Sequence, residues 1–248
     1  MSGTAAARVT GAVKVYGAGD TEVRALDGVT LGFAAGRFTA IMGPSGSGKS
    51  TLMHCAAGLD TLTAGQAFIG STELGSLGDK KLTLLRRERV GFVFQAFNLL
   101  PTLNVAENIT LPQDLAGSRP DPEWTAALID VVGLGDRLHH RPGELSGGQQ
   151  QRVAVARALA SRPEVVFADE PTGNLDSQSS EEVLGLLGRA VHEMGRTVVM
   201  VTHDPVAAAH ADEVVFLADG RLAGRMQQPT AERVLDQLKS YDRMGAAR

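Results

Sequence analysis

The run Phe38-Thr-Ala-Ile-Met42 empties directly into Gly43-Pro-Ser-Gly-Ser-Gly-Lys-Ser-Thr51, and this junction restricts the fold more than any other stretch of the chain. A short apolar segment bounded by glycine predicts a buried strand. The following residues, 49–57, read as a helix that stops near Gly58. Between them, Gly43-x-x-x-x-Gly48-Lys49-Ser50 matches the phosphate-binding loop pattern in the context that pattern requires. Gly43, Gly46 and Gly48 let the backbone wrap closely around an anion, and Pro44, Ser45, Ser47 and Thr51 complete the loop. Loop amides and the helix N-terminus then aim partial positive charge at phosphate. Lys49 adds a mobile full charge for the β- and γ-phosphates of a nucleotide, and the Ser50 hydroxyl is placed to ligate Mg²⁺.

The rest of the sequence supports an α/β arrangement around that loop. Residues 9–15 and 29–33 read as strands of an early antiparallel sheet, and 90–94 as a further buried strand. Residues 104–160 carry a mostly helical pattern, with breaks predicted at Pro112, Pro120, Pro122, Pro142 and Gly143. We read 96–160 as a helical insertion between two parts of one core, 1–95 and 161–248. Three more apolar runs follow at 165–168, 197–201 and 214–217, with helix near 177–194. Strands alternating with helices predict a mostly parallel sheet covered on its faces.

A chain of 248 residues suits one domain with subdomains. A net charge of -4 argues against a dedicated nucleic-acid binder. The lone Cys55 cannot build a disulfide framework and suits a reducing, cytoplasmic compartment. The opening residues, 1–8, lack the apolar run of a secretory signal, and no apolar run is long enough to span a bilayer. Any membrane association is therefore expected to come through another chain.

Val165-Val-Phe-Ala-Asp169-Glu170 places two carboxylates at the end of a buried strand. Ligands of open parallel sheets bind beyond the carboxyl ends of the strands, where the phosphate loop also lies. Asp169 is expected to hold Mg²⁺, and Glu170 to orient and deprotonate an attacking water. An acidic strand end exposed to solvent is the plainer alternative.

With these residues in view, the chain resembles the nucleotide-binding subunit of an ATP-binding cassette (ABC) transporter, over nearly its whole length and with the motifs in family order. Gly43-to-Thr51 is the Walker A loop, Gln95 in Phe92-Val-Phe-Gln-Ala-Phe97 the Q-loop, and Leu145-Ser-Gly-Gly-Gln149 the signature. The run 165–170 is Walker B with its glutamate, Asn174-Leu-Asp176 the D-loop, and His203 in Val201-Thr-His-Asp204 the switch histidine. Tyr16 lies where the family's adenine-stacking aromatic is found. The resemblance implies a P-loop NTPase, RecA-like core that binds and hydrolyses ATP with Mg²⁺. Ser146, Gly147, Gly148 and Gln149 would begin a helix over 149–160 and meet the γ-phosphate of ATP held by a second chain. Lys49, Glu170 and His203 would carry catalysis, and Ser50, Asp169 and Gln95 the metal. Asp176 would cross the seam of a homodimer. The dimer would sit on the inner face of the cell membrane, bound to a separate transmembrane permease.

Single residues have plainer readings. Tyr16 would suit an ordinary strand, and His54, His139, His140, His192 and His210 form no metal-ligand spacing, so no structural zinc is expected. Arg86, Arg87 and Arg89, interrupted by Glu88, read as a solvated helix end, and Cys55 as a small buried residue. Val13-Lys-Val-Tyr-Gly17, Val23-Arg-Ala-Leu26, Gly91-to-Pro101 and Thr102-to-Asn108 resemble the macrolide-exporter and lipoprotein-release type of cassette, which includes the cell-division cassette. Phe97, Leu99 and Leu100 lie at that family's docking groove for a permease helix; core packing accounts for them equally. A cassette that regulates a cell-envelope or cell-division complex without moving cargo fits the same residues. Cassettes of DNA repair carry long coiled-coil insertions and those of translation carry two cassettes per chain, and this sequence has neither.

Overall fold

In the computed structural model, residues 5–245 are described. Residues 1–4, the start of the stretch read as free of a leader, lie outside the described residues. Strands β1 (Ala5–Tyr16) and β2 (Val23–Ala34) pair antiparallel, with Val9 opposite Leu31. Val29, Leu31 and Phe33 face the interior while Thr30 and Gly32 face out, the period of two expected of a sheet wet on one side. By contrast every residue of β3 (Phe38–Met42) is buried, as befits a central parallel strand. Helix α1 (Lys49–Ala56) follows the glycine loop, and the chain leaves it through Gly58 at φ 69°. Strands β4 (Ala64–Ile69) and β5 (Thr72–Glu73) complete the first sheet, in the order β2-β1-β4-β5.

Helix α2 (Asp79–Arg89) leads into β6 (Val90–Phe94), and three helices then intervene: α3 (Val105–Ala116), α4 (Pro122–Val132) and α5 (Gly147–Leu159). The chain re-enters the second sheet as β7 (Val165–Asp169), then passes through α6 (Ser177–His192), β8 (Thr197–Val201), α7 (Pro205–Ala208) and β9 (Glu213–Ala218). It ends with β10 (Arg221–Gln227) and α8 (Ala231–Gly245). The second sheet runs β10-β9-β3-β8-β7-β6, parallel throughout except for the β9–β10 hairpin at one edge.

Alternation along the central strands sends side chains to two separate apolar layers. Phe38, Ala40, Met42, Val198 and Met200 pack with α5 and α6. Ile41, Val199, Val201, Val215 and Leu217 pack with Leu52 and Met53 of α1 and with the first sheet. The sheet is thus covered on both faces, and only its strand ends are left to form a site.

Three sequence expectations need correction. Pro112 does not break a helix; it sits inside α3. A proline there forfeits one bond to the Asn108 carbonyl, but the turn is pinned otherwise. The buried Asn108 amide donates to the Leu100, Leu103 and Asn104 carbonyls and accepts from the Leu100 N–H, and Asn104 and Glu107 form a capping box. Pro122 starts a helix, following the Asp121 cap at a position where no N–H is needed. The signature helix begins at Gly147, ahead of the expected residue 149, because Ser146 caps it.

Helix α5 lies close against β6 because Gly91 has no side chain: a Cβ there would overlap the Ala158 carbonyl oxygen. Gly91→Ala is expected to lower the unfolding free energy by about 1–3 kcal/mol. Urea denaturation checks this, and an unchanged midpoint would show that the contact has slack.

Candidate functional site

Strands β6, β7, β8 and β3 end level with one another: Phe94 pairs with Asp169, Asp169 with Val201, and Ile41 with Val201. The four loops leaving these ends carry Gln95, Asp169 with Glu170, His203, and the glycine loop, so four distant sequence segments converge at one sheet edge.

The glycine loop takes backbone angles that side chains resist, with Gly43 at φ 151°, Gly46 at 76° and Gly48 at 94°. A Cβ on Gly43 would overlap the Leu217 carbonyl oxygen, and one on Gly48 the Ala25 carbonyl oxygen. Ser45 and Gly46 form an exposed lip, while Ser47 is buried beneath it. The Ser47 carbonyl accepts from the Gly220 N–H, and its own N–H closes a turn onto Pro44. Lys49 curls back across the loop, its Nζ donating to the carbonyls of Gly43 (3.0 Å) and Pro44 (2.9 Å). Burial lowers the pKa of this ammonium, against the charges of Glu170 and Asp169, which raise it.

At the start of α1, Ser50 Oγ donates to Asp169 Oδ1 at 3.4 Å, joining loop and strand end. His54, to which the sequence assigned no role, brings Nε2 to 3.6 Å from the other Asp169 oxygen. Glu170 occupies the left-handed region at φ 46°, unusual for a side chain of its size and a cost of order 1 kcal/mol or more. It is held there by its N–H on the Val201 carbonyl and by its own carbonyl on the Gly173 N–H. The Glu170 carboxylate lies 3.0 Å from His203 Nδ1, and the His203 side chain is 73% exposed.

Gln95 and Asn174 exchange bonds, Gln95 Nε2 donating to Asn174 Oδ1 and Asn174 Nδ2 to the Gln95 carbonyl, both at 3.1 Å. The Gln95 amide nitrogen is thus engaged with the 174–176 loop. Asp176 caps α6, accepting from the Ser179 N–H and hydroxyl, bonds that hold its carboxyl below the usual range. Exposed Ser146 caps α5 in a reciprocal box with Gln149. Gly147 leans on Leu175 and Phe97, and a Cβ on Gly148 would meet Ser179 Oγ at 2.5 Å. The helix tip therefore rests on the loops after β6 and β7, and its first N–H groups keep the orphan donors of a helix start.

Tyr16 lies at the end of β1 beside Thr51 of α1, the residue 42% exposed. In the stretch after Gln95, Leu99 packs onto the core, Phe97 touches Gly147, and Leu100 is exposed. Beside it runs an apolar groove of about 400 Å³, lined by Phe92, Phe94, Leu111, Pro112 and Leu115, with Arg86 and Arg87 among its lining residues. Periodicity gave no hint of this groove, because α2 and α3 enclose it jointly. Among the described residues no helix is long and apolar enough to cross a membrane.

Comparison with known proteins fits this geometry. The model of the ABC transporter family matches residues 26–173. An uncharacterized ABC transporter ATP-binding protein from Thermotoga maritima is 48% identical over 213 residues, 85% of this chain and 91% of its own length. The macrolide export ATP-binding/permease protein MacB from Hyphomonas neptunium is 50% identical over 84% of this chain, which spans only 33% of that longer protein. Among solved structures, a dimeric post-hydrolysis state of the ATP-binding cassette MJ0796 bound to ADP and Pi superposes with a TM-score of 0.81 at 38% identity, over 90% of this chain and 98% of the other. On the convergence of its motifs at one sheet edge and on these similarities, the chain belongs to the ABC transporter family and is its ATP-hydrolysing cassette.

Proposed function

We propose that two copies of this cassette close around two ATP molecules, each held between the glycine loop of one chain and the α5 tip of the other. The observation that carries this reading is the setting of that tip. Gly147 lies against Phe97 and Leu175 and Gly148 against Ser179, and none of these belongs to the glycine loop of the same chain. A helix start with orphan N–H groups is an anion site that lacks an anion from its own chain. That the MJ0796 cassettes are dimeric, one of them with ADP and Pi bound, supports pairing of two chains.

Within each half, Lys49 and the loop amides grip the β- and γ-phosphates. The oxygens of Ser50 and Asp169, joined at 3.4 Å, form the kind of hard donor set that suits Mg²⁺, with Gln95 as a further oxygen ligand. The cation, when bound, neutralises charge on the phosphate oxygens. Glu170 takes a proton from the attacking water as it adds to the γ-phosphorus and the bond to the bridging β-phosphate oxygen breaks, leaving ADP and phosphate. His203 holds that carboxylate through Nδ1, and its exposed ring leaves the other nitrogen for the γ-phosphate. Asp176 stiffens the loop that faces the seam by capping α6. Loss of the γ-phosphate removes the anion shared by both chains, and the dimer opens.

The opening and closing drive a separate membrane permease. Support comes from the apolar groove between α2 and α3 and from MacB, whose name joins an ATP-binding and a permease part. The groove would take a permease helix, and the cassette would then sit on the inner face of the cell membrane.

Glu170→Gln is expected to retain ATP, to hydrolyse it at least about 100-fold more slowly, and to accumulate as a dimer. Light scattering with ATP and Mg²⁺ reads this, and a purely monomeric sample would count against closure on nucleotide. Ser146→Arg should leave ATP affinity close to wild type while turnover falls by about 100-fold or more. Paired binding and phosphate-release assays make the comparison; unaltered turnover would remove the α5 tip from the reaction.

A further inference from the structure

Tyr16 is held by contacts that its expected role does not require of an ordinary strand residue. Its hydroxyl donates to Asp60 Oδ2 at 2.7 Å. The other oxygen of the same carboxylate accepts from Lys14 Nζ at 2.6 Å and from the Thr61 N–H at 2.7 Å. Lys14 Nζ also donates to the Thr61 carbonyl at 2.7 Å and stands 4.8 Å from the centre of the Tyr16 ring. The Lys14 side chain is only 12% exposed, so this ammonium is committed to its partners. The backbone repeats the linkage, with Thr63 N–H on the Val13 carbonyl and Val15 N–H on Thr63 Oγ1. The end of β1 is thereby stitched to the loop that leaves α1, the helix whose first turn carries Lys49 and Ser50.

We propose that Lys14 and Asp60 form a clamp that fixes the plane of the Tyr16 ring and presents one open face for stacking on a nucleobase. The proposal rests on the reading of Tyr16 as the base-stacking residue and names what positions it. The phenol bond stops rotation of the ring, and the ammonium lies close to it. An unclamped, half-exposed tyrosine would lose rotamer freedom on binding; a clamped one has lost it in folding, which strengthens stacking without any new contact. Stacking on a π-face tolerates any base, so the clamp sets affinity rather than base identity. The ionisation of the three groups agrees. The Asp60 hydrogen bond raises the Lys14 pKa, and burial and then Asp60 raise that of Tyr16. Burial works to raise the Asp60 pKa, but its bonds from Lys14 and Tyr16 outweigh this and lower it. The charged carboxylate is therefore the form that holds the other two.

Calorimetry on the full chain with two Mg²⁺-bound probes tests the clamp: ADP, which carries a base, and pyrophosphate, which does not. Tyr16→Ala should weaken ADP about tenfold and leave pyrophosphate unchanged. Lys14→Met and Asp60→Asn should weaken ADP by about threefold to tenfold, again with pyrophosphate unchanged. Unchanged pyrophosphate affinity also certifies that each variant folds. If Tyr16→Ala spares ADP, base stacking on Tyr16 is wrong and the clamp falls with it. If Tyr16→Ala is selective for ADP but Lys14→Met and Asp60→Asn bind ADP normally, stacking stands and the clamp alone is refuted. Equal losses of both probes in the clamp variants would assign Lys14 and Asp60 to the placement of α1, and would likewise overturn the proposal.

Discussion

The loop between β3 and α1 can take its shape only where side chains are missing, and the remainder of the fold is arranged to hold it there. Gly43 is pressed against the Leu217 carbonyl and Gly48 against the Ala25 carbonyl, so β9 and β2 both border the loop at van der Waals range. Two carbonyl walls and a bond from the Gly220 N–H to Ser47 leave the loop amides few ways to face except outward, where an anion is received. The antiparallel sheet is accordingly more than a cover for α1. Through Ala25 it shapes the glycine loop, and it carries Tyr16, the residue proposed to stack on the base.

A second constraint sets apart the halves of the reaction. The proposed catalytic carboxylate, its histidine and Asp169 hang from the ends of β7 and β8, elements buried on both faces and hence rigid, while Ser50 lies in the first turn of α1 and Gln95 follows β6. The α5 tip instead rests on Phe97 in the loop after β6, on Leu175 in the loop after β7 and on Ser179 in the first turn of α6. The Gln95–Asn174 pair ties those two loops together. In the proposed cycle, a change at the γ-phosphate would reach the tip through this pair. The same Pro112 that helps line the groove lies within a helix rather than ending one.

Much of this was legible in the sequence, for identifiable reasons. β3, β6, β7 and β8 are buried throughout or nearly so, and a fully buried parallel strand reads as a continuous apolar run. Their boundaries matched closely. Where burial is one-sided or slight, the signal fails: α2 buries Leu85 alone and only its basic end was read as helix, and β10 has no buried residue and was not assigned. Pro112 misled because proline's cost is local, whereas the Asn108 network that compensates it comes from residues before the helix. The motif residues were found by type and spacing, and the structure brings those at the strand ends together. Lys14 and Asp60 were missed because neither type nor spacing marks an ion pair between a strand and a distant loop. His54 was set aside because a lone histidine carries no pattern, although α1 directs it toward Asp169.

All of these arrangements acquire their purpose from one claim, that the nucleotide is shared between two chains. The most direct measurement is a crystal structure of the Glu170→Gln protein grown with ATP and Mg²⁺. The account predicts that Ser146 Oγ and the Gly148 N–H of one protomer lie at hydrogen-bond distance, about 3 Å, from the γ-phosphate gripped by Lys49 of its partner. A nucleotide-bound structure in which each γ-phosphate is contacted by a single chain, with both α5 tips turned to solvent, would contradict it.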